Sequence, residues 1–78
     1  MRDLSSLQLG RAGRVLCLRA GEGMGRRLMD LGFTPGAWAA CVLAAPGNGI
    51  RAYRVRGAVI ALRRKEARTV ILEEENHE

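Results

Sequence analysis

Aromatic side chains are nearly missing: one Trp, one Tyr and one Phe in 78 residues. A core built by this chain is expected to be aliphatic, made of Leu, Val, Ile, Met and the many Ala. Histidine is scarcer still. His77, close to the C-terminus, is the only one, so no Ser/His/Asp or Cys/His arrangement can be preorganised in the domain body. Asp3, Glu22, Asp30 and Glu66 are scattered along the chain, and no carboxylate pair is visible. These absences argue against an enzyme. Two cysteines, Cys17 and Cys41, do not make a disulfide framework. Both sit in apolar stretches, VLCLR and AACVL, and are expected to be buried, reduced thiols acting as small hydrophobes.

Long apolar runs are also lacking. The longest, Ala37 to Ala45, is far below the ~20 residues of a membrane helix. LSSLQL near the start is too short and polar for a secretory h-region. The expectation is a cytoplasmic domain, not itself embedded in a membrane. Seventy-eight residues hold one compact domain and no two-lobed cleft. Hydrophobic residues make up 47% of the chain, which excludes a disordered polymer.

Charge is abundant and uneven. The net charge is +5, yet four of the eight acids fall in the last six residues. Residues 1–72 carry 13 basic against 4 acidic side chains, a net +9, and twelve of the basic residues are Arg. Such a body suits nucleic acid, anionic lipid or an acidic protein partner. The plainer alternative is a solvated, Arg-rich surface.

Gly and Pro punctuate the chain at short intervals, which favours short strands in a sandwich or barrel over a helix bundle. The pattern predicts strands over Arg14–Ala20, Ala37–Ala45, Ile50–Val55, Ala58–Leu62 and Thr69–Leu72. In the third, Arg51, Tyr53 and Val55 share one face. Pro46-Gly47-Asn48-Gly49 is a turn with Asn-Gly as its hairpin signal, and Arg56-Gly57 turns the chain again. One segment departs from strand patterning. In GMGRRLMDLGF, Met24, Leu28 and Leu31 fall at i, i+4 and i+7, one stripe of a short helix. Gly32 stands where a left-handed residue ends a helix, Phe33 can fold back, and Pro35-Gly36 fits a type II turn. RRKEA at 63–67 predicts one helical turn. Glu73 to Glu78 reads as an acidic tail, so the chain divides into a domain over 1–72 and a tail over 73–78. The Gly-rich run 21–25 lacks both the P-loop and the dinucleotide spacing and reads as a connector.

Several blocks together resemble a known family. LxLG ends at Gly10, RRLMDLGFTPGA spans 26–37, Ala45-Pro46 opens a loop, and YRVRGAVIALRRKEA spans 53–67 before a terminal V-I-L strand. This order is similar to the FeoA family, small cytoplasmic accessory proteins of bacterial ferrous iron transport. The chain departs from it in the loop after Pro46, where many members carry a second proline. The resemblance implies an all-β fold: a small SH3-like barrel of about five or six short strands with one short α-helix. It also implies an adaptor that works by protein contact, with the membrane GTPase transporter FeoB as partner.

The basic residues beside the helix and the last strand are then candidate partner-binding positions: Arg26, Arg27, Arg63 and Arg64, with Met29 and Asp30 on the same helix. Their alternative is a solvated, charge-protected edge. No cofactor is required. The one cluster with donor chemistry for a weakly bound divalent metal is Glu74, His77 and Glu78, with Glu73 and Glu75; the tail's chain entropy opposes it. Two rival functions remain in the sequence. One is a small basic barrel binding nucleic acid, against which the scarcity of stacking aromatics counts. The other is a stand-alone domain like the C-terminal barrel of iron-dependent repressors.

Overall fold

Arg2, the first described residue, already pairs in a strand. In the computed structural model, which describes residues 2–47 and 49–74, the order is β1 (Arg2–Asp3), a 3-10 turn (Leu4–Ser6), β2 (Ala12–Leu18), α1 (Glu22–Asp30), β3 (Trp38–Ala44), β4 (Arg51–Val55), β5 (Ala58–Leu62), α2 (Arg64–Ala67) and β6 (Val70–Leu72). The six strands form one antiparallel sheet in the order β1-β6-β2-β3-β4-β5. The expected all-β barrel with one main helix is therefore present. Asn48, and with it the Asn-Gly signal, lies outside the described residues, as do Glu75, His77 and Glu78 of the tail cluster.

β2 carries two ladders. Its first half pairs with β3, Ala12 opposite Ala40 and Arg14 opposite Trp38. Its second half pairs with β6, where Val15 faces Leu72 and Cys17 faces Ile71. Two residues of β2 thus span one step of β6, and Leu16 is the extra one, a β-bulge. A one-residue slip exchanges the two faces of a strand. Val15 is fully buried before the bulge, while Leu16 is 52% exposed. Cys17, which simple alternation would turn inward, is exposed, and only Cys41 is buried. The expectation of two buried thiols fails at Cys17 for this reason. The predicted start of this strand, Arg14, is also late. Gly13 lies inside it, and a Cβ there would come within 2.8 Å of Leu72 Cδ1, so any side chain at this position would have to displace the tip of Leu72 where the two ladders converge.

The core is not purely aliphatic. Phe33 and Tyr53 are its two largest fully buried side chains, set among Leu4, Leu28, Leu62 and Leu72. Of the three aromatics only Trp38 is outside, 63% exposed. Burial pushes the Tyr53 phenol above its usual pKa, the Cys41 thiol adds to this, and the Arg51 guanidinium works against it. Arg51 does not simply share the buried face with Tyr53. Its guanidinium donates to the Leu7 and Ser5 carbonyls, which ties the 3-10 turn to β4.

α1 behaves as its pattern predicts. Leu28 is fully buried, and Met24 and Leu31 pack against the core. The helix stops in a Schellman motif: the Phe33 N–H donates to Leu28 O and the Gly32 N–H to Met29 O, both at 3.0 Å. Gly32 takes φ +115°, a left-handed conformation that costs glycine no Cβ clash. Phe33 is thereby driven into the core. Thr34 to Ala37 then closes a turn, Ala37 N–H to Thr34 O at 2.9 Å, with Gly36 at φ +90°. That is the type II geometry the Pro-Gly pair predicts.

Two outcomes follow from this packing. A thiol reagent should label Cys17 rapidly in the native protein and Cys41 only on unfolding, one equivalent fast and one slow by absorbance. Leu28→Ala should lower unfolding free energy by roughly 2–5 kcal/mol, measured by urea titration.

Candidate functional site

α2 begins with a reciprocal contact. Glu66 lies three residues after Arg63, and its carboxylate accepts the Arg63 backbone N–H at 2.8 Å. That satisfies one of the donors a helix start leaves over. The other carboxylate oxygen accepts from Arg27 Nη1 on α1, also at 2.8 Å. One side chain therefore joins the two helices across 39 residues of sequence. The Arg27 bond holds the Glu66 carboxyl below its ordinary 4.5, and the Arg63 backbone bond adds to it.

Around this junction lies an open cleft of about 370 Å³, lined by Arg27, Ile50, Ala61, Leu62, Arg63 and Glu66. It combines three segments: α1, the end of the β3–β4 loop, and the β5–α2 corner. Ile50 is 43% exposed there. Of the predicted partner-binding positions, the structure brings Arg27 and Arg63 together. Arg26, Met29 and Asp30 are exposed on α1 but do not line this cleft. Arg64 faces a neighbouring cleft with Gly47, Gly49 and Arg51. Ile50 and Glu66 carry no partner signal in the sequence. Glu66 stands at the third helical position after Arg63, but Arg63 has no acceptor side chain to complete a capping-box signature, so the sequence holds only half of that clue.

An ion-paired carboxylate with a lowered pKa is a weak general base at neutral pH. The cleft is suited to contact: two guanidinium groups, one oriented carboxylate and an exposed aliphatic side chain. Among the described residues no group of three or more His, Cys, Asp or Glu is placed to hold a metal ion. Glu74 is described and exposed; its proposed co-ligands His77 and Glu78 are outside the described residues. No helix among the described residues is long and apolar enough to cross a membrane.

A bulged antiparallel barrel with a helix in its first long connection and one helical turn before its last strand is an SH3-like module. The chain belongs to the FeoA domain family, whose pattern it matches over residues 2–74. It is similar to FeoA of Stenotrophomonas maltophilia, solved in complex with zinc and proposed as a bacterial ferrous iron transport activating factor. That likeness has 29% identity and a TM-score of 0.83, over 94% of this chain and 91% of the other. FeoA of Chlorobium tepidum is similar at 30% identity and a TM-score of 0.86, over 97% of this chain and 76% of that one. A manganese-dependent transcriptional repressor shares the fold at 19% identity and a TM-score of 0.79, over 92% of this chain and 41% of the repressor. None of the curated proteins matches the chain significantly.

The ion pair gives a pH dependence with a definite sign. A carboxylate whose folded pKa is depressed contributes stability above its unfolded pKa and loses it as pH falls through the folded value. Wild type should thus lose stability on acidification from about pH 5 downward. Glu66→Gln should be less stable than wild type at neutral pH, and the two should converge in acid. Thermal melts of both across that range check this.

Proposed function

We propose that this chain is a cytoplasmic accessory adaptor of bacterial ferrous iron uptake, which binds and regulates the membrane GTPase transporter FeoB. The observation that carries the reading is the convergence of Arg27 and Arg63 on one cleft beside the exposed Ile50. Family membership supplies the iron-transport context. We read the chain as a binding module rather than an enzyme. Contact is made by the α1–α2 face, with Arg26, Arg63 and Arg64 meeting acidic groups of the partner and Met29 and Ile50 meeting apolar ones. Met suits an adaptable contact, being unbranched and polarizable. Arg27 is partly committed to Glu66, so it orients the face as well as contributing charge. No cofactor is needed for this role. A divalent ion held weakly by Glu74, His77 and Glu78 would be an accessory feature, in keeping with the zinc bound to the Stenotrophomonas protein.

The test uses Arg26→Glu with Arg63→Glu and leaves the Arg27–Glu66 pair alone. Folding should be nearly unchanged, within about 0.5 kcal/mol per site. Association with the cytoplasmic region of FeoB should weaken about tenfold or more. A thermal melt and a pull-down from purified components read the two effects. Failure of the wild-type chain to bind any part of that region, reduced and with guanine nucleotide supplied, would overturn the reading.

A further inference from the structure

β5 is the last strand in the sheet order, so one side of it is paired with β4 and the other side has no strand beside it. The two-residue turn Arg56-Gly57 closes on Val55 opposite Ala58, with positive φ at both turn residues. In such a hairpin the closing pair exchanges both hydrogen bonds, and bonded pairs alternate from there. Ala58, Ile60 and Leu62 therefore direct their backbone groups to β4. Val59 and Ala61 direct theirs to the open side. Among the described residues no backbone group beyond the sheet bonds to either. Ala58, Val59 and Ala61 are exposed, Ile60 is partly exposed, and only Leu62 is buried.

Open edges are usually protected by Lys, Pro, inward charge or a bulge within the strand. Ala58–Leu62 has no such residue, and its register against β4 runs without a break. Its cations stand around it instead. Residues 51–65 contain five Arg and one Lys and no acid. Arg54 is exposed directly opposite Val59, Arg56 precedes the strand and Arg63 follows it. A second copy pairing antiparallel through β5 would set the Arg54–Arg56 end against the Arg63–Arg64 end, cation against cation. The same arrangement attracts carboxylates.

We propose that the β5 edge is a strand-addition site for an extended, acidic segment of a protein partner. Val59 and Ala61 supply the backbone ladder, and the surrounding Arg54, Arg56 and Arg63 select acidic side chains. This rests on the reading of the chain as a protein-binding adaptor and names the kind of segment it takes. Strand addition makes use of an apolar, unbroken edge: the backbone groups supply affinity while flanking charge excludes self-pairing.

The probe is a blocked peptide of alternating Glu and Val, long enough to span β5, titrated into the full chain. Its controls are the same peptide N-methylated at alternate amides and a Lys-for-Glu version. Hydrogen exchange at the Val59 and Ala61 amides should slow about tenfold or more on saturation, as new backbone bonds form. Val59→Pro removes only an outward N–H, which edge strands tolerate, and should weaken binding about tenfold. Arg54→Glu changes an exposed side chain without touching the ladder and should weaken it comparably. The N-methylated and Lys peptides should not bind. Equal binding of the N-methylated peptide would reduce the attraction to charge alone and overturn the proposal. So would protection confined to other amides, no binding, tighter binding of single-stranded nucleic acid at the same amides, or peptide-free protection that grows with protein concentration. Unimpaired capture of the FeoB region by folded Val59→Pro would overturn the edge proposal and leave the adaptor reading intact. Glu-Val binding with protected Val59 and Ala61, in a chain that captures no FeoB region, would uphold the edge and overturn the FeoB assignment.

Discussion

The bulge at Leu16 is the constraint on which the barrel rests. Antiparallel strands in strict register make a sheet with two distinct faces, and only one can be buried in a domain this small. Because β2 gains one residue against β6, it bends and takes part in a second ladder while still paired to β3 at its other end. The sheet folds over on itself at that point. Val15 stays inside, Leu16 and Cys17 are turned out, and Leu72 closes over Gly13. A second slip at Val42, between Cys41 opposite Tyr53 and Leu43 opposite Ala52, adds curvature in β3. Cys41 stays buried before it, and Leu43 emerges 64% exposed after it.

This closure leaves a long connection between β2 and β3, and α1 fills it. The Schellman stop commits Phe33 to the core and so fixes where α1 ends. Its outer face is then carried toward α2, where Arg27 meets Glu66. The pair is partly exposed, and such pairs contribute little net stability. Its consequence is geometric. Glu66 is held by a backbone N–H at one oxygen and a guanidinium at the other, so the floor of the cleft has a defined charge arrangement. The cleft therefore depends on two local devices, a helix stop and a helix start, placed side by side by the barrel.

The same logic separates the two ends of β5. At the Leu62 end the strand enters the core and turns into α2 beside the cleft. At the Ala58 end it leaves the tight Arg56-Gly57 turn, and Arg56 reaches back to the Thr34 hydroxyl at 2.9 Å. That contact links the β4–β5 hairpin to the turn that follows α1. The strand between these anchors is apolar and open on one side. Its surroundings are cationic because the segment from Arg51 to Lys65 has no acid to balance its charge.

What the sequence by itself determined is the set of features governed by near neighbours. The Met24/Leu28/Leu31 stripe, the Gly32 stop, the Pro35-Gly36 turn, the RRKEA helical turn and the strands expected over Ala37–Ala45, Ile50–Val55 and Ala58–Leu62, found as Trp38–Ala44, Arg51–Val55 and Ala58–Leu62, each follow from spacings of a few residues. The family blocks, themselves local motifs in a fixed order, carried the barrel class. Only the tertiary structure decided the rest. Alternation along VLCLR places Cys17 inside, because nothing in five residues records how β6 will register against them. β1 is two residues long and exists through its pairing with Leu72 and Ile71, partners at the other end of the chain. Phe33 and Tyr53 could be recognised as apolar, but their place at the centre of the core depends on where the two ladders close. Arg27 and Glu66 read as unrelated charges for the same reason. A spacing of 39 residues carries no period, and a contact at that distance exists only after loop closure and sheet curvature have brought its two elements together.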